Sequence, residues 1–401
     1  MISLKIAMLL LSIQNALLGS IVAFLFKNRI ESREPERILL LRTSALGDFL
    51  FAVPSMAALR KRFPHAKIML LTASTTNRNQ SRIVQGYTNS KDSFPWLSFM
   101  IPSYVDETAC FFSLNLSYLL KEIKPRIESF NPDMTFILSH PGDPGLGLLK
   151  KILFLRFVGV KQIVHGWRTR SSISFFREAQ HQAHLYEHKV FGPLRAITEC
   201  TLLPRIEDIK IEFPLHVEEK NTSWVENYWK ENRLNAAPVI AIAPGSIQSH
   251  KRWPVEKFIS LCRRLESSYK IIIAIIGTHN DYSIGEHIRA HLKSEVINCA
   301  GVLSIIQAGT LLKRCHLLVG NDGGAMHLGA AVRCPTVSIV PGIEYPNSIE
   351  PWGFQEFAVR HPIPCAPCYS FTACPRGHNR CMVDIPVEKV FSQCARILDK
   401  K

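Results

Sequence analysis

Short apolar runs alternate with amphipathic stretches along most of this chain, and this alternation restricts the possible folds more than any other feature. The strands of β-α-β units are buried on both faces and read as continuous apolar runs, while the helices between them are amphipathic. Two such series follow each other, separated by Leu203–Glu219, a proline-containing segment of mixed charge that is predicted as a linker or an edge strand. The pattern predicts an α/β protein with two doubly wound, Rossmann-like domains.

Each series contributes four predicted strands. Those of the first series are Arg37–Arg42, Lys67–Thr72, Met134–Leu138 and Gln162–His165, and those of the second are Pro238–Ala243, Lys270–Ile276, Leu317–Val319 and Thr336–Val340. After the first strand we predict a turn and then a helix through Arg60. A chain of 401 residues, 47% of them hydrophobic, is too long for one ordinary core. We therefore predict domains at 35–210 and 220–398, preceded by a separate segment at 1–30.

The most informative turn lies in the second series, where a buried strand ends in a polar, glycine-rich turn that opens into a helix. Gly323 and Gly324 let the backbone come close to a ligand, and the free amides and positive end of the following helix attract an anion. Asp322 on the turn and His327 on the first helical turn are placed to contact a sugar or a diphosphate. The turn is therefore a candidate site for a phosphate-bearing ligand.

In the first series, the turn that begins at Ser44 ends on Asp48, at the predicted start of a helix. An aspartate in the first helical turn usually caps the helix or interacts with its dipole. Ligands of doubly wound sheets bind beyond the carboxyl ends of the strands, and there the same carboxylate can take a proton from a hydroxyl as a general base. The spacing alone leaves both interpretations of Asp48 open.

The loop after the first strand of the second series carries Ser246 and the adjacent cations Lys251 and Arg252, and it ends at Pro254, which suits the first position of a helix. Hydroxyl groups and two cations together suit a diphosphate. The alternative is a solvated basic loop in which Trp253 anchors the helix. The apolar face of that helix is predicted to comprise Val255, Phe258, Ile259 and Cys262.

The segment Ile6–Phe26 is a 21-residue stretch without a charged side chain, about the ~20 residues that cross a bilayer. We predict an uncleaved N-terminal membrane anchor, with a shallow interfacial helix and a signal peptide as alternatives. The excess of basic residues after the segment predicts that the rest of the chain lies on the cytoplasmic side. Lys5 precedes the segment, and Lys27, Arg29, Arg33 and Arg37 follow it.

The formal net charge of +15 favours an anionic partner, which could be nucleic acid, a membrane surface or a phosphorylated substrate. The chain lacks the interleaved basic and aromatic signature of RNA-binding proteins, so nucleic acid is not expected. Seven basic side chains and no acidic one lie between Pro144 and Arg177, which indicates contact with a phosphorylated lipid or anionic headgroups, or else a solvated helix face. They are Lys150, Lys151, Arg156, Lys161, Arg168, Arg170 and Arg177.

Four of the eleven cysteines form a cluster whose spacing is compatible with a structural zinc site or a redox role, or with a plain loop-closing segment. They are Cys365, Cys368, Cys374 and Cys381. The other cysteines are scattered as small buried hydrophobes would be. His184 and His188 lie one helical turn apart, and an amphipathic helix explains them better than a metal site.

Taken in order, three segments resemble glycosyltransferase family 9, the ADP-heptose:lipopolysaccharide heptosyltransferases. The segments are Arg42–Asp48, Pro244–Ser246 with Lys251–Pro254, and Asn321–Leu328, and the resemblance runs from about Arg37 to Leu398. It implies the glycosyltransferase-B type fold, in which two Rossmann-like domains face a central cleft. It also implies an inverting transfer of heptose from ADP-heptose to an anionic glycolipid, the lipopolysaccharide inner core, at the cytoplasmic face of the inner membrane, with no catalytic metal or other required cofactor.

Carried over residue by residue, the resemblance makes Asp48 the catalytic carboxylate that deprotonates the acceptor, and Lys251 the cation that neutralises the departing diphosphate. Donor binding falls to Ser246, Asp281, Asp322, Gly323, Gly324 and His327. Acceptor binding is predicted for Ser44, Lys150, Lys151 and Arg168. The chemistry is coherent, because a fixed cation and helix-end amides stabilise the charge that builds on the leaving phosphate more than they stabilise the ground state.

Two departures from the family pattern leave the substrate open. The hydrophobic N-terminal extension is not usual, and Gly323 stands where a small hydroxyl residue is common. The alternatives are a related transferase that uses another nucleotide-sugar for a surface glycan, and a membrane-tethered binding protein without catalysis. A nicotinamide-dependent oxidoreductase is disfavoured, because the first strand-to-helix turn lacks the Gly-x-Gly-x-x-Gly fingerprint.

Overall fold

The computed structural model describes residues 34–43, 46–73, 104–111, 116–138, 145–165, 188–198, 203, 205–370 and 372–400. The chain divides into two compact units, Met1–Pro214 and Leu215–Lys401. In these ranges no helix is both long and apolar enough to cross a membrane. The predicted segment at 1–30 lies outside them, as do Ser44, Arg168 and His184.

The first unit contains a sheet of five parallel strands in the order β3-β2-β1-β4-β5. The strands are β1 (Arg37–Thr43), β2 (Lys67–Ala73), β3 (Glu107–Phe111), β4 (Met134–Ile137) and β5 (Ile163–His165). Four of them were predicted, and the edge strand β3 was missed. The central strand β1 has a neighbour on either side, with Leu40 paired to Leu70 and to Phe136. Its apolar side chains are buried because both faces of a parallel sheet are covered.

The described helices of the first unit cover its sheet. They are α1 (Leu46–Leu50), α2 (Val53–Arg62), α3 (Lys124–Phe130), α4 (Gly145–Phe157) and α5 (Phe191–Thr198), with Leu116–Tyr118 and a π-helical turn, Leu119–Ile123, leading into α3. The prediction of a single helix through Arg60 is wrong, because the helix is interrupted between α1 and α2. Pro54 lies in the first turn of α2, where a missing N–H is harmless, whereas in a continuous helix its ring would clash with the carbonyl of Leu50.

The second unit also has five parallel strands, in the order β10-β9-β6-β7-β8. The strands are β6 (Val239–Ala243), β7 (Ile272–Ile275), β8 (Val296–Asn298), β9 (Leu317–Asn321) and β10 (Thr336–Ile339). The helices are α6 (Glu219–Glu231), α7 (Val255–Ser268), α8 (Tyr282–Arg289), α9 (Ile305–Leu312), α10 (Gly324–Ala331), α11 (Arg380–Val383) and α12 (Val387–Leu398). The short edge strand β8 was missed, and the predicted linker contains a 3-10 turn, Ile206–Asp208, but no strand in its described part.

The core of the second unit confirms the predicted apolar face of α7. Phe258, Ile259 and Cys262 are buried in it, and Val255 packs against it. Pro254 immediately precedes this helix as its N-cap rather than occupying its first position. The ring N–H of the buried Trp253 donates to the carbonyl of Ile385 at 3.1 Å, which anchors the start of α7.

Candidate active site

The glycine-rich turn of the second unit has the predicted form. Strand β9 ends at Asn321, α10 begins at Gly324, and Asp322 and Gly323 connect them. Gly323 has an extended backbone, with φ 168° and ψ −176°. A Cβ added there would meet only the carbonyl oxygen of Asn321, at 3.8 Å. The turn therefore leaves open space in front of the N-terminus of α10, where backbone amides and the helix dipole favour an anion.

The structure brings together three predicted residues at this turn. The Nζ of Lys251 donates to Oδ2 of Asp322 at 3.0 Å, and Nε2 of His327 lies 3.8 Å from Oδ1 of the same carboxylate. The Lys251 and Asp322 side chains are only 18% and 7% exposed. Since charges this far removed from water interact more strongly than surface pairs, the carboxylate fixes the position of the ammonium group.

Asn321 fixes the loop that carries Lys251, a role that the sequence did not reveal. Its Nδ2 donates to the carbonyl of Pro244 at 2.7 Å, and its Oδ1 accepts from the backbone N–H of Trp253 at 2.9 Å. The two contacts lie at the start and at the end of the loop between β6 and α7. The sequence shows only that a polar residue ends an apolar strand, at the start of the segment Asn321–Leu328.

Ser246 lies in the same loop and is half-buried. The Nε of Arg252 donates to its carbonyl oxygen at 2.8 Å, which closes the loop on itself. Lys251 ends a 3-10 turn, Ser249–Lys251, and its backbone N–H donates to the carbonyl of Gln248 at 3.0 Å. These two hydrogen bonds within the loop, together with the bonds from Asn321, fix its conformation.

The carboxylate of Asp281 makes local hydrogen bonds in the described structure. Its Oδ2 accepts from the backbone N–H and the hydroxyl of Thr278, at 2.8 and 2.7 Å, which caps the 3-10 turn after β7. A Cβ at Gly245 would lie 2.2 Å from Oδ1 of Asp281, so the buried carboxylate packs directly against the loop after β6. These contacts give Asp281 a reason to be present besides donor binding, which stays a prediction.

In the first unit, Asp48 lies in the short helix α1 directly after β1 and is half-buried. The guanidinium of Arg42, itself only 2% exposed, donates from Nη2 to the backbone carbonyl of Asp48 and from Nη1 to the carbonyl of Leu138. Arg42 thus joins the carboxyl end of β4 to the helix that carries Asp48. It is a second positioning residue that the sequence did not identify.

Lys150 and Lys151 of the predicted acceptor set lie within α4, where Lys150 is exposed and Lys151 is half-buried. Neither lysine lies at a strand end. The described structure therefore places them on a helix face, and contact with the acceptor stays a prediction.

The four clustered cysteines are free thiols and half-buried. Burial and the neighbouring thiols raise the pKa values of Cys368 and Cys381. The Sγ of Cys365 lies 3.9 Å from Nε2 of His378. Nevertheless, nowhere in the described part of the chain do three or more His, Cys, Asp or Glu side chains form a group suited to a metal ion. The structural zinc stays a prediction.

Two α/β units with parallel sheets, one with a carboxylate beyond its first strand and the other with a cation, a carboxylate and a helix N-terminus beyond its strands, fit a glycosyltransferase of the glycosyltransferase-B type. A sequence profile for glycosyltransferase family 9 (heptosyltransferase) matches residues 147–375, and the chain belongs to this family. The family predicted from the three segments is confirmed, and so is the glycosyltransferase activity class.

The relatives share modest identity with the chain. The lipooligosaccharide heptosyltransferase 2 of Campylobacter jejuni is 27% identical over 247 residues, which cover 59% of this chain and 71% of that protein. The lipopolysaccharide heptosyltransferase 2 of Escherichia coli is 26% identical over 190 residues, which cover 46% of this chain and 53% of that protein.

Solved structures confirm the predicted fold class. The ADP-heptose lipopolysaccharide heptosyltransferase II of E. coli has a TM-score of 0.61 at 19% identity, covering 91% of this chain and 99% of that chain. A family 9 glycosyltransferase from Veillonella parvula has a TM-score of 0.65 at 16% identity, covering 91% of this chain and 98% of that chain. At these identities the similarity is one of fold.

Proposed function

We propose that the protein transfers heptose from ADP-heptose to the inner core of lipopolysaccharide, with inversion at the anomeric carbon. The observation that carries the proposal is the pairing of Lys251 with Asp322 beside the N-terminus of α10. The names of the relatives, which are heptosyltransferases of lipooligosaccharide and lipopolysaccharide, support the choice of sugar and acceptor.

The second unit would stabilise the leaving group. Cleavage of the bond between the sugar and the diphosphate leaves an additional negative charge on the terminal phosphate of the nucleoside diphosphate. Lys251 and the amides at the start of α10 supply positive charge that is already in place, so little reorganisation is needed as the charge develops. Asp322 keeps Lys251 in position before the donor binds, and Ser246, Gly323, Gly324 and His327 complete the donor site.

The first unit would supply the base. The side chain of Asp48 takes the proton of the acceptor hydroxyl as the oxygen attacks the anomeric carbon in line with the leaving diphosphate. Arg42 holds the backbone of this residue, which restricts where the carboxylate can reach. Because proton transfer and leaving-group stabilisation use protein groups alone, the proposed reaction has no metal-dependent step.

We place the reaction at the cytoplasmic face of the inner membrane, where a lipid-linked acceptor is presented. The basic residues of α4 would attract the phosphates of the acceptor. Ser44, Lys150, Lys151 and Arg168 are the proposed acceptor contacts. The N-terminal segment at 1–30 would hold the enzyme at the membrane.

A structural zinc ion at the cysteine cluster is a separate proposal and takes no part in the reaction. Four thiolates are a common ligand set for structural zinc. Metal analysis of the purified protein beside a Cys365→Ser, Cys368→Ser double variant tests it directly. One zinc per chain in the wild type and none in the variant would support the site, and metal-free wild type would remove it.

A second candidate function follows from Gly323, which leaves room at the donor turn. In this case the same machinery would transfer a different sugar from its nucleotide to a surface glycan. A binding protein without catalysis is the weaker alternative, since a decayed active site would not be expected to retain Asp48, Lys251 and Asp322 together.

The test is transfer of heptose from ADP-heptose to a heptose-deficient lipopolysaccharide core by the purified full chain. Asp48→Asn should reduce transfer by about 10²- to 10⁴-fold and leave ADP binding unchanged, because a general base does not contact the nucleotide. Lys251→Met should reduce transfer by about 10²-fold or more. Asp208→Asn and Lys270→Met, at exposed positions, are the matched controls and should behave as wild type.

Each outcome separates the alternatives. Transfer by the wild type and both controls, together with loss in both site variants, supports the reaction and its residues. Binding of ADP-sugars without transfer to any core acceptor would favour another donor or glycan. Absence of nucleotide-sugar binding would favour the non-catalytic alternative.

A further inference from the structure

Helix α4 is apolar on its outer side as well as its inner side. Leu148, Ile152 and Leu155 are buried in the core of the first unit. On the outside, Leu153 is 50% exposed and Phe157 is 62% exposed. A surface helix normally presents polar side chains to water, so an outer face with two large apolar residues indicates a face made to contact something other than water.

Leu153 and Phe157 lie on one stripe of the helix together with Lys150. Their positions are i, i+3 and i+7 counted from Lys150, and side chains at these spacings point to the same side of a helix. We call these three residues the α4 outer face. It combines a cation at one end with two apolar side chains that water reaches.

Basic groups flank the α4 outer face, while residues 145–165 contain no acidic residue. The Nζ of Lys124, on the neighbouring helix α3, lies 5.4 Å from the centre of the Phe157 ring. Arg156 extends over the end of α4, where its Nη1 donates to the carbonyls of Val160, at 3.1 Å, and Lys161. Lys124 also pairs with Glu128 of its own helix, at 3.6 Å. The surroundings of the α4 outer face are thus predominantly positive.

We propose that the α4 outer face docks on the anionic surface of a lipid bilayer, with Leu153 and Phe157 entering the headgroup region and the flanking cations contacting lipid phosphates. Apolar side chains bordered by lysine and arginine are the composition of helices that lie in the membrane interface. The inference rests on the proposed function only for the presence of a membrane-borne acceptor. It specifies which surface of the enzyme meets the membrane.

Position-specific labelling of lysines tests the docking, because the N-terminal segment at 1–30 is itself predicted to bind membranes and would dominate bulk sedimentation. The full chain is acetylated with and without vesicles of phosphatidylethanolamine and phosphatidylglycerol, and each lysine is followed by mass spectrometry. Lys150 should be labelled several-fold more slowly with these vesicles. Lys270, exposed on the second unit, is the internal reference and should not change.

A double variant, Leu153→Ser with Phe157→Ser, removes the apolar part of the α4 outer face. Each side chain withdrawn from the bilayer should weaken docking by about tenfold, so protection of Lys150 should be lost. Val302→Ser, which replaces a side chain 50% exposed on the second unit, is the matched control and should retain the protection. Lys150→Gln should weaken docking by about fivefold, and protection is then read at Lys151.

Equal labelling of Lys150 with and without anionic vesicles would overturn the proposal. Protection that appears in vesicle-free buffer at high protein concentration and disappears in the double variant would also overturn it, because the face would then join two copies of the chain. Transfer to a deacylated, water-soluble core should be unchanged in the double variant. If wild type transfers to no acceptor while Lys150 is still protected, the proposed function fails and the docking stands.

Discussion

The side chain of Asn321 accepts a hydrogen bond from the backbone N–H of Trp253, with 2.9 Å between the two atoms. This contact joins the end of β9 to the end of the loop that carries Lys251, and the second bond of the same amide, to Pro244, joins it to the start of that loop. The turn and the loop are therefore held together by one side chain. A substitution at Asn321 should displace Lys251 although the two side chains are not bonded to each other.

Asn321→Leu should lower both stability and turnover. It leaves the Trp253 N–H and the Pro244 carbonyl without a partner in a buried region, which costs about 1–3 kcal/mol for each group. Urea unfolding measures the stability, and steady-state kinetics should show a lower kcat because Lys251 is displaced. Asn232→Leu is the control, since Asn232 makes a local bond to Tyr228 in α6. A variant of Asn321 with normal kcat would show that the loop keeps its shape by other means.

Asp322→Asn should separate binding of ADP from transfer. The substitution removes a negative charge beside the diphosphate site, so ADP should bind as tightly as before or more tightly. Lys251 loses its charged partner and its fixed position, so transfer should fall. Calorimetric titration with ADP and initial rates measure the two effects. Parallel loss of ADP affinity and of transfer would mean that Asp322 contacts the donor directly rather than through Lys251.

Gly323 and Gly320 should respond differently to a side chain. Gly323→Ser should keep stability or raise it by a few tenths of a kcal/mol, because the backbone is extended there and serine is a favoured N-cap residue. Gly320→Ala should lower stability by about 1–3 kcal/mol or more, since its Cβ would lie 2.4 Å from the carbonyl oxygen of Ala243. Thermal unfolding compares the two variants.

The donor preference of the Gly323→Ser variant tests the second candidate function. If ADP-heptose is the natural donor, the variant should use it as well as the wild type, because a small hydroxyl residue is common at this position in the family. Selective loss of activity with one nucleotide-sugar would instead show that the donor of this enzyme needs the space that glycine leaves.

Arg42→Met should impair transfer while leaving the second unit unaffected. The substitution removes the two bonds that hold the carbonyls of Asp48 and Leu138, and hydrogen bonds from a charged group contribute about 1.5–3 kcal/mol each. We expect a lower kcat and unchanged ADP affinity. Arg37→Met is the control, because Arg37 is more exposed and forms a 3.9 Å ion pair with Asp133, worth less than about 1 kcal/mol. Loss of ADP binding in Arg42→Met would refute the expectation that Arg42 acts only on the first unit.

The sequence was sufficient to predict the elements whose signals are local. Eight of the ten described strands and the β9-to-α10 turn follow from apolar runs and glycine positions. The edge strands β3 and β8 were not predicted, because β3 mixes polar residues with apolar ones and β8 has only three residues. The positioning roles of Asn321 and Arg42 were not predicted for a different reason. The two partners of Asn321 lie 68 and 77 residues away in the chain, and the Leu138 partner of Arg42 lies 96 residues away, so only the folded structure shows what these side chains hold.

The pKa of Cys374 is shifted in the opposite direction to the pKa values of Cys368 and Cys381. Burial acts to raise its pKa, but hydrogen bonds from backbone groups outweigh burial and bring the pKa below its ordinary value. The pKa values of Cys368 and Cys381 are raised, chiefly by burial, and burial raises the pKa of Cys262 to about 12. The backbone groups that lower the pKa of Cys374 belong to Asn379, Arg376, His378 and Gly377.

A thiol with a lowered pKa is already partly thiolate at a pH where its neighbours are protonated, and the thiolate is the reactive form. Iodoacetamide should therefore modify Cys374 before Cys368 and Cys381, with the largest difference near neutral pH and a smaller one as the pH rises. Cys262 should stay unmodified in the folded protein. Peptide mapping after short exposures measures the order. If Cys368 reacts first, the backbone groups do not act on Cys374 as described. If the whole cluster is protected until a chelator is added, a metal ion holds the thiolates and the structural zinc gains its support.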